Sequence, residues 1–250
     1  MILTELVTYL DQYLRLSDVG DAPAAWNGLQ VENSGAVERL GAAVDACERT
    51  IALAAEARVG LLLVHHGLFW DGLPPVRGPR YRRLAGLIRH DIALYSAHLP
   101  LDAHPEVGNN VLLARELGLV VRGPFGTFYG GAAGVWGDLV LSRDALAARL
   151  ARVLGAPPRV LACGPEETRR VGIVTGAGGS AIAEAAAAGL DTLVTGEGAH
   201  HTFFAAEELG VNAFYGGHYA TETLGVKALS AHLAARFGIP WTFLDHPTGL

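Results

Sequence analysis

The sequence predicts an α/β protein with two lobes, and three observations carry that prediction. Short aliphatic runs bounded by Gly and polar residues alternate with Ala-rich stretches of helical spacing, the pattern of β-α-β units. Of the 250 residues, 50% are hydrophobic and 18% are charged, a composition that buries a substantial core and is unlike that of a disordered or fibrous chain. Residues 124–137, rich in Gly and aromatic side chains, read as a boundary that divides the chain into 1–124 and 125–250.

Residues 4–16 set Leu6, Val7, Leu10, Tyr13 and Leu14 on a helical stripe, with Thr4 as a cap before Glu5. Gly20-Asp21-Ala22-Pro23 breaks that helix. Ala25-Trp26-Asn27-Gly28-Leu29-Gln30-Val31 then joins an Asn-Gly turn signal to polar and aromatic residues that composition does not explain, and it reads as a hairpin-like loop. A strand over 39–45 ends in Asp45. An Ala-rich helix over 47–59 delivers the chain to Leu61-Leu62-Leu63-Val64-His65-His66, a buried strand ending in two histidines. This β-α-β run implies a right-handed crossover and parallel neighbours, which sets Asp45 beside the histidine pair.

Residues 70–81, with Pro74, Pro75 and Pro79, read as an ordered surface loop before a helix over 81–89. A strand over 92–98 ends in His98 and is followed by Leu99-Pro100-Leu101-Asp102; a helix over 109–117 is stopped by Gly118. The second lobe begins with a strand over 135–141 and a helix over 142–150 capped by Ser142. A strand over 170–175 enters Gly176-Ala177-Gly178-Gly179-Ser180 and an Ala-rich helix over 181–188. A strand over 190–195 leads to Gly196-Glu197-Gly198-Ala199-His200-His201 and a helix over 202–209. A strand over 212–215 meets Gly216-Gly217-His218, and a helix over 221–237 and a strand over 240–244 complete the chain. The Gly-rich turn at 176–180 can hold an anion on backbone N–H groups. Tight packing of strand against helix explains the glycines equally well, and no full dinucleotide fingerprint is present.

In open α/β sheets, ligands bind beyond the carboxyl ends of the strands. Three such ends carry metal-binding side chains: His65 and His66, His98 with Asp102, and His218 with Glu222 four residues on. Imidazoles and carboxylates suit zinc, iron, manganese, nickel or cobalt, and the lack of thiolates favours an exchangeable, hydrolytic site over a closed structural one. Four histidines and two carboxylates suit two divalent metal ions, which two-metal sites hold roughly 3.5–4 Å apart around one activated water or hydroxide. For any single one of these histidines the plainer reading is a polar strand end before a turn. No G-x-S-x-G elbow points to covalent catalysis.

Lys plus Arg number 19 against 25 Asp plus Glu, a formal charge of −6 that disfavours nucleic acid as the main partner. Arg80, Arg82 and Arg83 are the local exception, and a solvated helix start explains them. Cys47 and Cys163 lie far apart and read as small buried residues of a reducing compartment. The start of the chain lacks the marks of a signal peptide and no run is long enough to span a membrane, so a cytoplasmic location is expected.

These residues also carry a resemblance. His65-His66-Gly67, Ser96-Ala97-His98 through Asp102, Gly108-Asn109-Asn110, Leu117-Gly118-Leu119, Thr195-Gly196-Glu197 through His200-His201, and Gly217-His218-Tyr219 with Thr221-Glu222 form a series over nearly the whole chain. Together with Trp26-Asn27-Gly28-Leu29-Gln30, they resemble the motifs of the NGG-interacting factor 3-like dinuclear-metal family, whose members often carry the name GTP cyclohydrolase 1 type 2 homologue. The resemblance implies two intertwined α/β lobes with mixed sheets flanked by helices and the metal pair in the cleft between them. It also implies that 216–250 return to the first lobe to complete the site, and that the assembly is a homohexameric ring of dimers. It places metal ligands on His65, His66, Asp102, His218 and Glu222, with His98 either a further ligand or a partner that orients one. His200 and His201 fall near the open side of the site, as proton shuttle or substrate contact, or else as solvated residues at a helix start. Asp45 either orients a ligand histidine or is a plain strand-end carboxylate. His90, His104, His232 and His246 lie outside the motifs and are expected at the surface. The leading functional expectation is a metal-dependent hydrolase in which a bridging hydroxide attacks a small nucleotide-like or phosphorylated substrate, with cyclohydrolase chemistry as a narrower version. The alternative is a metal-handling or regulatory ring scaffold without catalysis.

Overall fold

The computed structural model describes residues 1–70 and 75–250, so Asp71 to Pro74 of the expected 70–81 loop lie outside the described residues. In chain order the elements are α1 (Leu3–Tyr13), β1 (Gly28–Val31), β2 (Leu40–Asp45), α2 (Glu48–Glu56), β3 (Leu61–His66), α3 (Pro79–Arg89), β4 (Ala93–Ser96), α4 (Leu99–Asp102), α5 (Asn109–Leu117), β5 (Val120–Phe128) and β6 (Gly131–Ser142). They continue with α6 (Arg143–Leu154), β7 (Arg159–Leu161), β8 (Glu167–Val174), α7 (Ile182–Ala187, entered through a 3-10 turn at Gly178–Ala181), β9 (Thr192–Thr195), α8 (Thr202–Leu209), β10 (Asn212–Tyr215), α9 (His218–Phe237) and β11 (Trp241–Phe243). The chain divides into two compact units: Met1–Leu101 with Gly225–His246, and Asp102–Leu224 with Pro247–Leu250.

The first unit holds a five-stranded sheet of order β1-β4-β3-β2-β11. β11, β2, β3 and β4 run parallel, and β1 joins antiparallel at the edge beside β4. Along β3, Leu62 and Val64 pack with Ile51 and Ala54 of α2 and Leu87 of α3, while Leu61 and Leu63 on the alternate positions are also buried. Burial on both faces is why this strand reads as a continuous aliphatic run and not as an alternating one. The β2/β3 register pairs Asp45 with His66, as the β-α-β reading expected.

The second unit holds a six-stranded mixed sheet of order β5-β6-β8-β9-β10-β7, in which β8, β9 and β10 are parallel. Its two faces bury different helices. Val171, Ile173, Val194 and Phe214 pack with Leu113 and Leu117 of α5 and Leu146 and Leu150 of α6. Val174, Leu193 and Ala213 pack with Ile182 and Ala185 of α7 and Ala206 of α8. The period-2 alternation of these strands sorts the two cores.

Several boundaries differ from the sequence reading. Thr4 is not the cap of α1: the helix starts at Leu3, whose N–H donates to Gly35 O, and Ile2 occupies the cap while bridging Ala36. The expected hairpin-like loop at 25–31 contains β1, entered through Gly28 at φ +99°. Residues 124–137 lie in the β5–β6 hairpin, which turns at Tyr129 and Gly130, and Gly134 is where a Cβ would lie 2.1 Å from Ile173 O. Their glycines therefore serve a turn and close strand pairing. α9 begins at His218, not at 221, which places that histidine in the first helical turn. His104, expected at the surface, is 7% exposed, and its Nδ1 accepts from the N–H groups of Glu106 and Val107. His232, expected there too, is half-buried and stacks 4.2 Å from the ring of Tyr13. Among the described residues no helix is long and apolar enough to cross a membrane.

Candidate metal centre

The first unit gathers three imidazoles. His65 and His66 end β3 and His98 follows β4, with ring centroids 4.7, 5.0 and 5.6 Å apart. Each offers one ring nitrogen to a set in which the ligand atoms all lie within 4.8 Å of one another, a group that could hold a metal ion. The Nδ1 atoms decide which nitrogen that is. His65 Nδ1 lies 2.9 Å from Ala97 O, His66 Nδ1 lies 2.9 Å from Asp45 Oδ1, and His98 Nδ1 lies 2.8 Å from Asp21 Oδ1. A carbonyl and two carboxylates can only accept, so each Nδ1 carries the proton and donates, and Nε2 is the nitrogen that presents a lone pair to a cation. Metal-bound imidazoles need this arrangement, so the donor set fits a divalent ion.

The carboxylate behind His98 is the most constrained of these supports. Asp21 is 6% exposed at its side chain and accepts from His98 Nδ1, Ala22 N and Asn27 Nδ2 at 2.6–2.8 Å and from Leu99 N at 3.1 Å. Burial pushes its pKa upward, but the bonds from His98, Asn27 and Ala22 outweigh burial and hold it below the usual carboxylate range. Asn27 Oδ1 in turn accepts the main-chain N–H of His98 at 2.7 Å. Gln30 Oε1 accepts from Leu68 N at 2.7 Å, and a Cβ at Gly67 would lie 2.3 Å from Gln30 Nε2. The Trp26-Asn27-Gly28-Leu29-Gln30 segment is therefore the frame that holds His98 and the loop after His66. Trp70 closes one side, its ring 4.9 Å from that of His98 and its Nε1–H donating to Gly67 O.

The second unit carries the remaining expected ligands. On the first turn of α9, His218 Nε2 lies 3.1 Å from Glu222 Oε2, and His218 Nδ1 lies 2.8 Å from Glu197 Oε1. Hydrogen bonding to buried Glu222, opposed by desolvation and helped by Glu197, raises the His218 pKa to about 9. Gly176 makes room for this pair: a Cβ there would meet Glu222 Oε1 at 2.1 Å. Asp102, 6% exposed, accepts from Asn109 Nδ2 at 2.8 Å and from Thr175 Oγ1 at 3.3 Å. Three N–H groups of the turn read as an anion cradle are already bonded within the protein, Gly176 N to Thr221 Oγ1, Gly178 N to Thr195 Oγ1 and Gly179 N to Glu197 O. Of the two readings, close packing is the one the geometry supports.

His200 and His201 are both exposed. His200 packs edge-on against Phe204. His201 lines an open groove of about 350 Å³ shared with Gly179, Ser180, Glu197 and Thr202, so within this unit it borders the carboxylate that holds His218.

The model of the family described as Duf34/NIF3 (NGG1p interacting factor 3) matches residues 1–248. The chain belongs to the Duf34/NIF3 family. A Deinococcus radiodurans relative named GTP cyclohydrolase 1 type 2 homolog is 47% identical over 248 residues, covering 98% of this chain and 94% of the relative. A Halobacterium salinarum relative of the same name is 46% identical over 256 residues, with both chains covered in full. The crystal structure of a Thermus thermophilus protein is 46% identical and superposes with a TM-score of 0.92 over the full length of both chains. For this Duf34/NIF3 chain, the sequence reading names the candidate ligands but not Asp21, Gln30 and Glu197, whose side chains bond to His98, to the Leu68 main chain and to His218. Asp21 sits in Gly20-Asp21-Ala22-Pro23, where it reads as part of a helix break. The one signal that pointed to this frame was the Trp26 to Gln30 segment, whose polar and aromatic content had no other explanation.

Proposed function

We propose that this chain is a metal-dependent hydrolase that holds two divalent ions on His65, His66, His98, Asp102, His218 and Glu222 and acts on a small nucleotide-like or phosphorylated substrate. The observation that carries the reading is the set of three imidazoles whose Nδ1 atoms are each tied to an acceptor, which makes Nε2 the coordinating nitrogen of each ring. The two sets together supply four imidazoles and two carboxylates, a donor complement suited to zinc, iron, manganese, nickel or cobalt. Bound divalent ions would supply Lewis acidity and acidify water into a nucleophile near neutral pH.

The chain's own residues do the rest. Asp21, Asp45 and the Ala97 carbonyl hold the ring orientations, and Glu197 fixes the ring of His218. His200 and His201, both exposed, are the residues proposed to pass a proton or to touch substrate, and His201 lines a groove with Glu197. The proposed assembly is a homohexameric ring of dimers, for which exposed Val120, Val121 and Val140 on the β5–β6 hairpin and Phe203, Phe204 and Leu209 on α8 supply apolar surface. A monomeric mass in solution would remove that part. The proposed setting is the reducing cytoplasm, in keeping with free Cys47 and Cys163.

The deciding experiment loads the protein with each metal in turn, counts ions per chain, and assays a panel of nucleotides, phosphodiesters and cyclic amides. Turnover that is lost in His65→Ala is the expected result. Two bound ions with no turnover of any panel member, and no difference between the protein and its His65→Ala variant, would replace the hydrolase reading by the non-catalytic scaffold.

A further inference from the structure

The groove beside Glu197 lies where an α/β sheet binds ligands. Two loops line it: Ala177, Gly179 and Ser180 follow β8, and Glu197, Ala199 and His201 follow β9. β8 and β9 are adjacent parallel strands, so both loops stand at carboxyl ends, the position of a binding crevice in such sheets. The loops are also bonded to each other: Gly179 N–H donates to Glu197 O at 3.1 Å, and Glu197 N–H donates to Gly176 O at 2.9 Å. The groove is therefore formed before a ligand arrives, and its volume of about 350 Å³ falls at the small end of the roughly 300–1,000 Å³ of ligand sites.

Its chemistry is one-sided. Thr202 lines the groove too, but its hydroxyl proton goes to Ala199 O at 2.6 Å and its oxygen takes the Tyr215 hydroxyl at 2.6 Å, so that group is engaged within the protein. Ser180, Glu197 and His201 are the polar side chains left to a ligand. Glu197 is 49% exposed at its side chain and gives Oε1 to His218 Nδ1; a carboxylate has two oxygens, so acceptor capacity remains. No Lys or Arg is among the described residues that line the groove. A phosphate would meet the Glu197 charge without the guanidinium or ammonium that recognises phosphate elsewhere, whereas a neutral group with N–H donors would meet acceptors.

We propose that this groove takes the uncharged part of the substrate, a heterocycle carrying an amino group, and that Glu197 and Ser180 accept its N–H donors. The phosphate of a nucleotide then lies outside the groove. Ala177, Gly179 and Ala199 offer no side chain beyond a methyl group, which leaves room for the ring between the two loops. Calling the ligand a substrate rests on the hydrolase reading above; the binding does not. Within the substrate class named there, the groove selects compounds with an amino-bearing ring over plain sugar phosphates.

The test titrates the metal-loaded protein, by calorimetry, with adenosine, guanosine and cytidine, whose bases carry an amino group, with purine riboside, whose base has no N–H, and with ribose 5-phosphate. At least one amino nucleoside binds about tenfold or more tightly than purine riboside, and ribose 5-phosphate does not displace it. Ala199→Leu, at an exposed position, fills the groove and weakens that nucleoside about tenfold or more. Ser180→Ala weakens it while leaving purine riboside unchanged. Both variants keep their ions per chain and melting temperature. No binding of any amino nucleoside, equal affinity for purine riboside, displacement by ribose 5-phosphate, or affinity that survives Ala199→Leu overturns the assignment. Binding in the groove without turnover of any compound defeats the hydrolase reading alone, and turnover that Ala199→Leu leaves unchanged defeats the groove alone.

Discussion

Replacing Asp21 with Asn tests whether the imidazole set is held by the carboxylates behind it. The two Asp21 oxygens divide four donors: Oδ1 takes Ala22 N and His98 Nδ1, and Oδ2 takes Asn27 Nδ2 and Leu99 N. An amide has one acceptor, so whichever way it turns, its NH2 group faces two N–H donors in a site where the side chain is 6% exposed. Each buried donor left without a partner costs about 1–3 kcal/mol, so Asp21→Asn should destabilise the metal-free protein by about 2–6 kcal/mol. That is a large share of the roughly 5–15 kcal/mol by which a native fold is stable. If the amide turns to spare His98, the cost falls on the Asn27 and Leu99 contacts. If it does not, the ring loses its orienting acceptor, and metal affinity should fall about 10–100-fold. Urea unfolding of the metal-free variant reads the first effect and competition against a chelator reads the second. Stability within about 0.5 kcal/mol of the parent together with unchanged metal affinity would refute the reasoning. The carboxyl also has a pH signature. Its folded pKa is depressed, so its contribution is present above the unfolded value of about 3.9 and is lost as pH falls through the lower folded value.

Gly176→Ala puts a Cβ 2.1 Å from Glu222 Oε1 at a φ of +66°; about 1–2 kcal/mol of backbone strain is expected together with weaker metal binding, read by thermal melting and metal titration. His218, raised to about 9, contributes stability to the metal-free protein that is fully present below its unfolded pKa of about 6.5 and is lost as pH rises towards 9. Melting curves of chelator-treated protein should therefore fall through that window, and a flat profile would contradict the Glu222 and Glu197 contacts. His201→Ala should leave ions per chain and melting temperature unchanged while lowering kcat about 10²–10⁴-fold if the side chain carries a proton, and an unchanged kcat removes that role. Ser142→Ala serves as a control: loss of the bond from Ala145 N to Ser142 Oγ should cost about 1 kcal/mol in unfolding experiments with no change in metal affinity.

Much of this architecture is legible along the chain. Residues 109–117 read as a helix stopped by Gly118, and α5 ends there with Gly118 at φ +71°. Ser142 reads as a cap, and its Oγ accepts from Ala145 N. The parallel pairing that sets Asp45 against His66 follows from a β-α-β run of short elements. β1, β5 and β7 were not legible. All three pair antiparallel at sheet edges, and much of β5 is exposed. Such strands carry no continuous aliphatic run, and the Pro and Gly in β5 disguise it further.

By itself the sequence determined the chemistry available to this protein: which strands end in histidine, the four-residue spacing of His218 and Glu222, and the family to which the motif series belongs. Those features are local, set by side-chain period and by the residue types a cation accepts. The tertiary structure alone decided how the donors are held. Asp21 reaches His98 across 77 positions, Gln30 reaches the Leu68 backbone across 38, and Thr195 closes on the Gly176 turn from 19 positions away. Contacts of that separation depend on strand order and helix packing, which no local pattern encodes. They also determine whether each imidazole presents Nδ1 or Nε2 to a cation.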